Sequence, residues 1–374
     1  MRFTDIYGQN EVKQRLIHSV QTERMAHALL LHGPQGTGKL ALAIAFAQYV
    51  ACPNKTDSDS CGVCPSCLKF QKLIHPDLHF SFPIIVTEHK VCNGAIKDWR
   101  EFLLKSPYIS FEQWSSYLNS EKANSTLKIP VPEGLEIIRE MNKTNYEAEY
   151  KTMIICFPEK MNVECANKLL KIIEEPHPKT HFLFVSDNPD QILGTIISRL
   201  QRIYVPALTS ENVSEMLRKH YPQATEIDIN NAARIANGNI IKALDIMDNS
   251  DDTKEYLEMF IFIMRTCYTK NIISMKKWTE ELSKWKRKKL IAFFSYSQNL
   301  IRENFIYNIR QKDLNYMTDK ESEFSEKFSP FINERNICQF LSELELAERH
   351  IERNGQAKII LFDLALKMTM LLKM

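Results

Sequence analysis

Between a short apolar run, Leu29 to Leu31, and an Ala/Leu/Ile-rich stretch through Ala51, the chain carries Gly33-Pro-Gln-Gly-Thr-Gly-Lys39. Strand, G-x-x-x-x-G-K, helix is the setting in which backbone N–H groups and a lysine cradle phosphate at a helix N-terminus. Gly33, Gly36, Gly38 and Lys39 are therefore the candidate nucleotide-binding residues. The next position departs from the pattern. Such a loop continues with Ser or Thr, whose hydroxyl holds Mg2+. Here it is Leu40, and a hydrocarbon cannot ligate a hard cation that wants oxygen. The scaffold of a nucleotide site is present with part of its chemistry missing, which leaves ATP binding open at this point.

Downstream, Tyr150 to Phe157 (YKTMIICF) and His181 to Ser186 (HFLFVS) read as apolar strands, with another from Gln201 to Val205. Strands alternating with helical stretches predict an α/β domain with a mainly parallel sheet over residues 1–206. The helices are expected at Gln9 to Gln21, Glu133 to Asn142, and after an Asn162 cap up to Pro176. In a P-loop protein an Asp at such a strand end helps to hold Mg2+, and an adjacent Glu helps to activate water. Phe157 and Pro158 stand there instead. Glu159 comes next, past the turn, as the acid nearest to replacing them. His27, ahead of the first strand, reads either as a nucleotide contact or as a packed histidine. Ser198 and Arg199 are placed on a short helix, Ile196 to Leu200. Taken alone, an arginine there reads as solvated or as a cap for carbonyl groups.

Of nine cysteines, four have ordered spacing: Cys52, Cys61, Cys64 and Cys67, C-x8-C-x2-C-x2-C. Two overlapping C-x-x-C units, with Gly62 and Pro65 supporting tight turns, can bring four thiolates to one Zn2+. Four thiolates leave no open position, so this zinc would be structural. The alternatives are free surface thiols and a redox C-x-x-C, and the latter chemistry needs two cysteines rather than four.

At 374 residues, 44% of them apolar and 25% charged, the chain has the composition of an ordinary globular protein of two or three domains. Net charge +2 gives no overall field of the kind that marks strong nucleic-acid binders. No apolar run reaches the ~18 residues of a membrane span. The polar start, MRFTDIYGQNEVKQRL, lacks the apolar core of a signal peptide. A cytoplasmic location is the expectation. Residues 76–132 are poorly patterned: one short extended segment, then short helices carrying Trp99 and Trp114, read as satellite core before partner contacts. Residues 207–250 read as a small helical module. Residues 253–374 carry apolar residues at three- and four-residue spacing throughout. The basic run Lys284 to Lys289 reads as a solvated helix junction, with phosphate contact as the alternative.

Taken together, these pieces resemble the bacterial clamp-loader AAA+ proteins of DNA polymerase III. The resemblance is carried by HALLLHGPQGTGK (27–39), the four cysteines, ANKLLKIIEEPHPKTHFLFVSDNPDQILGTIISRLQR (166–202) and GNIIKAL (238–244). It covers most of residues 1–250, and residues 251–374 match only in being helical. It implies a AAA+ P-loop domain over 1–206 with a zinc module at 52–67 and a segment 76–132 of unassigned role. A helical lid over 207–250 and a helical, oligomerising collar over 251–374 would follow.

In that family the motor subunits, gamma or tau, hydrolyse ATP and other subunits do not. The departures here match the second kind: Leu40 at the loop, Phe157 and Pro158 at the acidic pair, and Ile241 where the motor pattern has its second sensor arginine. Arg199, in the family's S-R-C element (here Ser198-Arg199-Leu200), is retained. In the family this arginine reaches into the ATP site of the neighbouring subunit. The resemblance thus implies a non-hydrolysing member of a pentameric loader, a component of the DNA polymerase III holoenzyme with no ATPase of its own. It would give an arginine finger to a gamma/tau neighbour, sit with a delta subunit, and help to load the sliding clamp onto primed DNA. Two other readings stand beside it. One is an active P-loop ATPase with a substituted site. The other is a zinc-dependent nucleic-acid-binding module, which needs steeply salt-dependent DNA binding by the lone chain.

Overall fold

The computed structural model describes residues 1–118, 127–248, 250–309 and 317–373. Residues 119–126 of the unassigned segment, and the side chain of Lys288, lie outside the described residues. Tertiary contacts divide the chain into two compact units, Met1–Ala224 with Ala236–Leu244, and Thr225–Ile235 with Asp245–Met374.

The first unit runs α1 (Asn10–Gln21), β1 (Ala28–His32), α2 (Lys39–Ala51), α3 (Pro65–Gln71), β2 (Leu78–Ser81), β3 (Ile84–Ile85), α4 (Ile96–Lys105) and α5 (Phe111–Leu118). It continues β4 (Leu127–Lys128), α6 (Val131–Met141), β5 (Lys151–Cys156), α7 (Val163–Glu174), β6 (Thr180–Ser186), α8 (Gly194–Ile197), β7 (Gln201–Tyr204) and α9 (Ser210–His220). Five strands form one parallel sheet in the order β2-β5-β6-β1-β7, and β3 and β4 form a small antiparallel pair. Leu31 sits between Val185 of β6 and Ile203 of β7.

Alternation along the strands sends apolar side chains to both faces, which is why these strands read as continuous apolar runs. Leu29, Leu31, Leu183 and Val185 face a layer with α2, while Ala28, Leu30, Phe182 and Phe184 face α6 and α7. All thirteen residues of α2 are buried, so this helix is apolar all round rather than amphipathic. Asn162 caps α7 as expected, its side chain accepting from Glu164 N at 2.8 Å.

Two local expectations are refined. The extended segment after His75 is an edge strand of the sheet, β2, with Phe80 beside Ile154 of β5. Pro83, which has no N–H to give a ladder, separates it from β3. Trp99 and Trp114 are fully buried: Trp99 stacks on Phe82 at 4.3 Å, and Trp114 meets the same ring edge-on at 5.6 Å. The satellite-core reading holds. The second change is the short helix expected at Ile196 to Leu200. It spans Gly194–Ile197, and Arg199 N and Leu200 N make turn bonds to Ile196 O and Ile197 O as the chain swings into β7. Arg199 therefore stands just beyond α8.

Three further helices follow α9: α10 (Glu226–Ala236), α11 (Ile240–Asp248) and α12 (Ser250–Thr269). Then come α13 (Ile272–Leu282), α14 (Arg287–Asn308), α15 (Asp319–Phe328), α16 (Ile337–Glu352) and α17 (Ala357–Leu371). The second unit has its own core of Phe260, Trp278, Phe293, Phe294, Phe340, Leu344 and Leu361. Lys289, in the first turn of α14, is bound by Asp252 and Glu255 and lies 4.8 Å over the Trp285 ring. That part of the basic run serves the junction. Among the described residues no helix is long and apolar enough to cross a membrane.

Candidate functional site

The loop 33–39 leaves the C-terminal end of β1, and the chain beyond β5 and β6 emerges on the same side, because all three strands are parallel. This is where ligands bind in open parallel sheets. His27 lies at the opposite, N-terminal end of β1, exposed, with its carbonyl accepting from Phe182 N. It does not reach the loop.

The loop needs its glycines. At Gly33 (φ +149°) a Cβ would fall 2.1 Å from Val205 O, and at Gly36 (φ +74°) it would fall 1.9 Å from Asn239 Oδ1. Ile240 N also donates to Gly36 O at 3.1 Å, so the residues leading into α11 close over the loop. Lys39 turns back inside. Its Nζ donates to Gly33 O at 2.9 Å, to Pro34 O and to Thr37 Oγ1 at 3.3 Å, and pairs with Asp187 Oδ1 at 2.7 Å. The residue is only 4% exposed. Burial lowers its pKa from the usual lysine value, and Asp187 opposes that shift. The lysine meant for phosphate thus has its acceptors and its counterion supplied by its own chain.

Apolar and aromatic side chains take up most of the remaining space. Leu40 is buried. Phe157 holds the left-handed backbone (φ 54°) at the acid position and meets Phe111 edge-on at 5.7 Å. Tyr108, between α4 and α5, lies over Gly38, where an added Cβ would come within 2.9 Å of its ring, and burial pushes its hydroxyl up to about 12. The cavity bounded by the loop, Leu40, Tyr108, Phe157 and Asp187 is about 20 Å³, room for about one water. Glu159 turns to the end of β6 instead, accepting from Ser186 Oγ at 2.8 Å, and does not line this cavity. Burial raises its pKa above the ordinary glutamate value. Ile241 is buried in its helix and offers no cation. As they stand, these residues leave no room for a nucleoside triphosphate beside the loop and offer Mg2+ no side-chain oxygen at Leu40 or Phe157.

Arg199 is on the outside. Its side chain is 32% exposed, with Nε donating to Glu174 Oε2 at 2.9 Å and Nη1 to Thr195 O at 2.9 Å. Ser198 Oγ donates to Thr195 O at 3.2 Å, so Ser198 orients this turn rather than capping a helix start.

The four cysteines converge. Cys52 closes α2, Cys61 and Cys64 flank Gly62-Val63, and Cys67 lies in α3. Their sulfurs lie within 4.8 Å of one another, with Cys52–Cys64 at 4.0 Å and Cys61–Cys67 at 3.9 Å. A tetrahedron of Zn–S bonds of about 2.3 Å has edges of about 3.8 Å, so the group can hold a metal ion. Backbone N–H groups of Cys61, Cys64 and Cys67 each point at a sulfur, at 3.4 Å. Hydrogen bonds from Val63 and Cys64 pull the Cys61 thiol down to about 6. Burial pushes Cys52 and Cys67 upward, which a bound dication overrides by deprotonating its ligands.

Sequence reasoning missed Asp187 and Tyr108. Asp187 had a signal, its place at the end of an apolar strand on the loop side. Tyr108 had none, because Pro107-Tyr108-Ile109 follows no period.

A parallel sheet with this loop and the helical segment closed over it defines a AAA+ P-loop protein. The family described as DNA polymerase III, delta subunit matches residues 8–209, more than half of the chain, and the chain belongs to that family. The DNA polymerase III subunit delta' of Bacillus subtilis (strain 168) is 25% identical over 245 residues, 65% of this chain and 60% of that protein. The DNA polymerase III subunit tau of the same strain is 25% identical over 257 residues, 67% of this chain and 38% of that one. The match thus spans about three fifths of one relative and under two fifths of the other. Among solved structures, a Thermotoga maritima protein described as DNA polymerase III gamma subunit-related covers 97% of this chain and 100% of its own, at 11% identity and TM-score 0.40.

Proposed function

We propose that this chain is the delta-prime-like, non-hydrolysing subunit of a DNA polymerase III clamp loader. Identity to delta' and to tau is equal at 25%, so the reading rests on the site. The observation that carries it is the filled loop: Lys39 is bound by its own carbonyl groups and by Asp187, and about 20 Å³ remains. With no oxygen at Leu40 or Phe157, Mg2+ lacks the ligands that bridge phosphates in P-loop enzymes.

Arg199 supports the second half of the reading. It is a permanent cation at the surface, half-buried on a fixed base, suited to meet the charge that develops on a transferred phosphoryl group in a neighbour's site. The neighbour would be a gamma/tau motor subunit in a cytoplasmic assembly with a delta subunit, acting on the sliding clamp and primed DNA. The three-part division at 206 and 250 belongs to this reading, with residues 251–374 as the collar. One Zn2+ on Cys52, Cys61, Cys64 and Cys67 would serve structure alone.

The test is a loader reconstituted with Arg199→Ala. Clamp- and DNA-stimulated ATP hydrolysis should fall at one site, where fingers are worth ~10³ to 10⁵ in rate, and total turnover should fall less. Lysine should not rescue, since it lacks the planar fork. Wild-type hydrolysis and loading by the variant would remove the finger role.

A further inference from the structure

Arg199 is half-buried and held in place. Nε is taken by Glu174 Oε2 at 2.9 Å, and Nη1 by Thr195 O at 2.9 Å with Ser198 Oγ at 3.5 Å. Nη2 has no partner among the described residues. The two anchors sit on rigid elements. Glu174 ends α7, whose Ile173 is fully buried, and Thr195 lies in α8 beside Ile196, 2% exposed, in the same apolar layer. The contacts hold the guanidinium from both sides of its Nε–Cζ bond, Glu174 at Nε and Thr195 at Nη1, and leave Nη2 at its tip open.

We infer that Glu174 is the positioning residue of the finger: it fixes the Arg199 guanidinium so that its open donors stand ready for the phosphate oxygens of a nucleoside triphosphate held by the next subunit. This rests on the finger reading above. A free arginine must lose its rotamer freedom when it docks, and one ordered in advance does not. The difference for a single long side chain is about 2- to 10-fold. A glutamate with no such role would be an ordinary exposed ion pair, whose removal changes little.

The experiment uses the reconstituted loader with ATP, sliding clamp and primed DNA, and compares wild type, Glu174→Ala, Arg199→Ala and the double variant. Of the turnover that Arg199→Ala removes, Glu174→Ala should reduce the rate about 2- to 10-fold in kcat, with KM for ATP unchanged. Glu174→Gln keeps an acceptor for Nε–H and should retain most of the rate. Glu174→Asp, one methylene short, should report the same loss as alanine by a second route. In the Arg199→Ala background, Glu174→Ala should add nothing. Wild-type rates for both Glu174→Ala and Glu174→Asp, or a further loss in the double variant, would overturn the positioning role while leaving the finger in place. A faster loader with Glu174→Ala would overturn it too, marking the contact as a restraint. Wild-type rates for Arg199→Ala would instead remove the finger reading, and this inference with it.

Discussion

Asp187→Ala isolates the feature on which the account depends. Lys39 is 4% exposed and its Nζ lies 2.7 Å from Asp187 Oδ1, whose side chain is 18% exposed. Removing one partner of a buried pair costs about 3 to 5 kcal/mol, because the other charge is left uncompensated. Three neutral acceptors, Gly33 O, Pro34 O and Thr37 Oγ1, stay with the ammonium, and Asp187 is partly wet. The lower end, about 3 kcal/mol, is the expectation. With two units in the chain a single unfolding free energy is ill-defined, so hydrogen exchange resolved to α2 and β1 is the right assay. A loss of about 3 kcal/mol corresponds to roughly 100-fold faster exchange there, with α14 and α16 of the other unit unchanged. Replacing the pair by apolar groups, Lys39→Met with Asp187→Leu, should restore protection to within about 1 kcal/mol of wild type. The pH dependence has a definite sign. A lysine whose folded pKa lies below 10.5 binds fewer protons folded than unfolded, so stability rises with pH below that value. Losing Asp187 removes an influence that holds the Lys39 pKa up, so the deficit should narrow as pH rises toward 10.5. Unchanged exchange in Asp187→Ala, or a double variant as weak as the single, would refute the self-ligated loop.

Zinc analysis of freshly purified protein should give one ion per chain, and chelation should expose amides of residues 52–71 while α2 and β1 keep their protection; absence of the metal would refute the four-cysteine assignment. Asp77 accepts from Tyr146 N, Glu147 N and Ala148 N at 2.7, 2.7 and 2.8 Å. Burial works against its charge, but these bonds outweigh burial and its pKa is lowered. Its contribution is therefore full above the ordinary carboxylate value and lost as pH falls through the folded value, and Asp77→Asn should loosen residues 145–149 by about 1 to 3 kcal/mol at pH 7, read by exchange at those amides.

What was legible in the sequence is what short-range chemistry dictates. The loop 33–39 declared itself because its backbone positions tolerate only glycine, as Gly33 against Val205 O and Gly36 against Asn239 show. The four-cysteine group was legible because C-x2-C-x2-C leaves the sulfurs little freedom. The central strands β1, β5 and β6 were legible because burial on both faces makes them largely apolar. What was not legible depends on pairing across the fold. Nothing near Lys39 says that Asp187 will take its charge, and nothing in Pro107-Tyr108-Ile109 says that it fills the space beside Gly38. The helix before Arg199 begins at Gly194 and ends at Ile197, where the chain turns into β7 beside β1. Glu174, in the Glu174-Glu175-Pro176 stretch, is visible in sequence, but its choice of Arg199 is a matter of how α7 and α8 meet.

ATP turnover by the isolated chain tests the central claim most directly. With Mg2+ and saturating ATP, the wild-type chain should show no hydrolysis above background, and Lys39→Ala should behave the same in this assay. Turnover by the wild-type chain that Lys39→Ala abolishes would show an open, working phosphate loop and contradict the account.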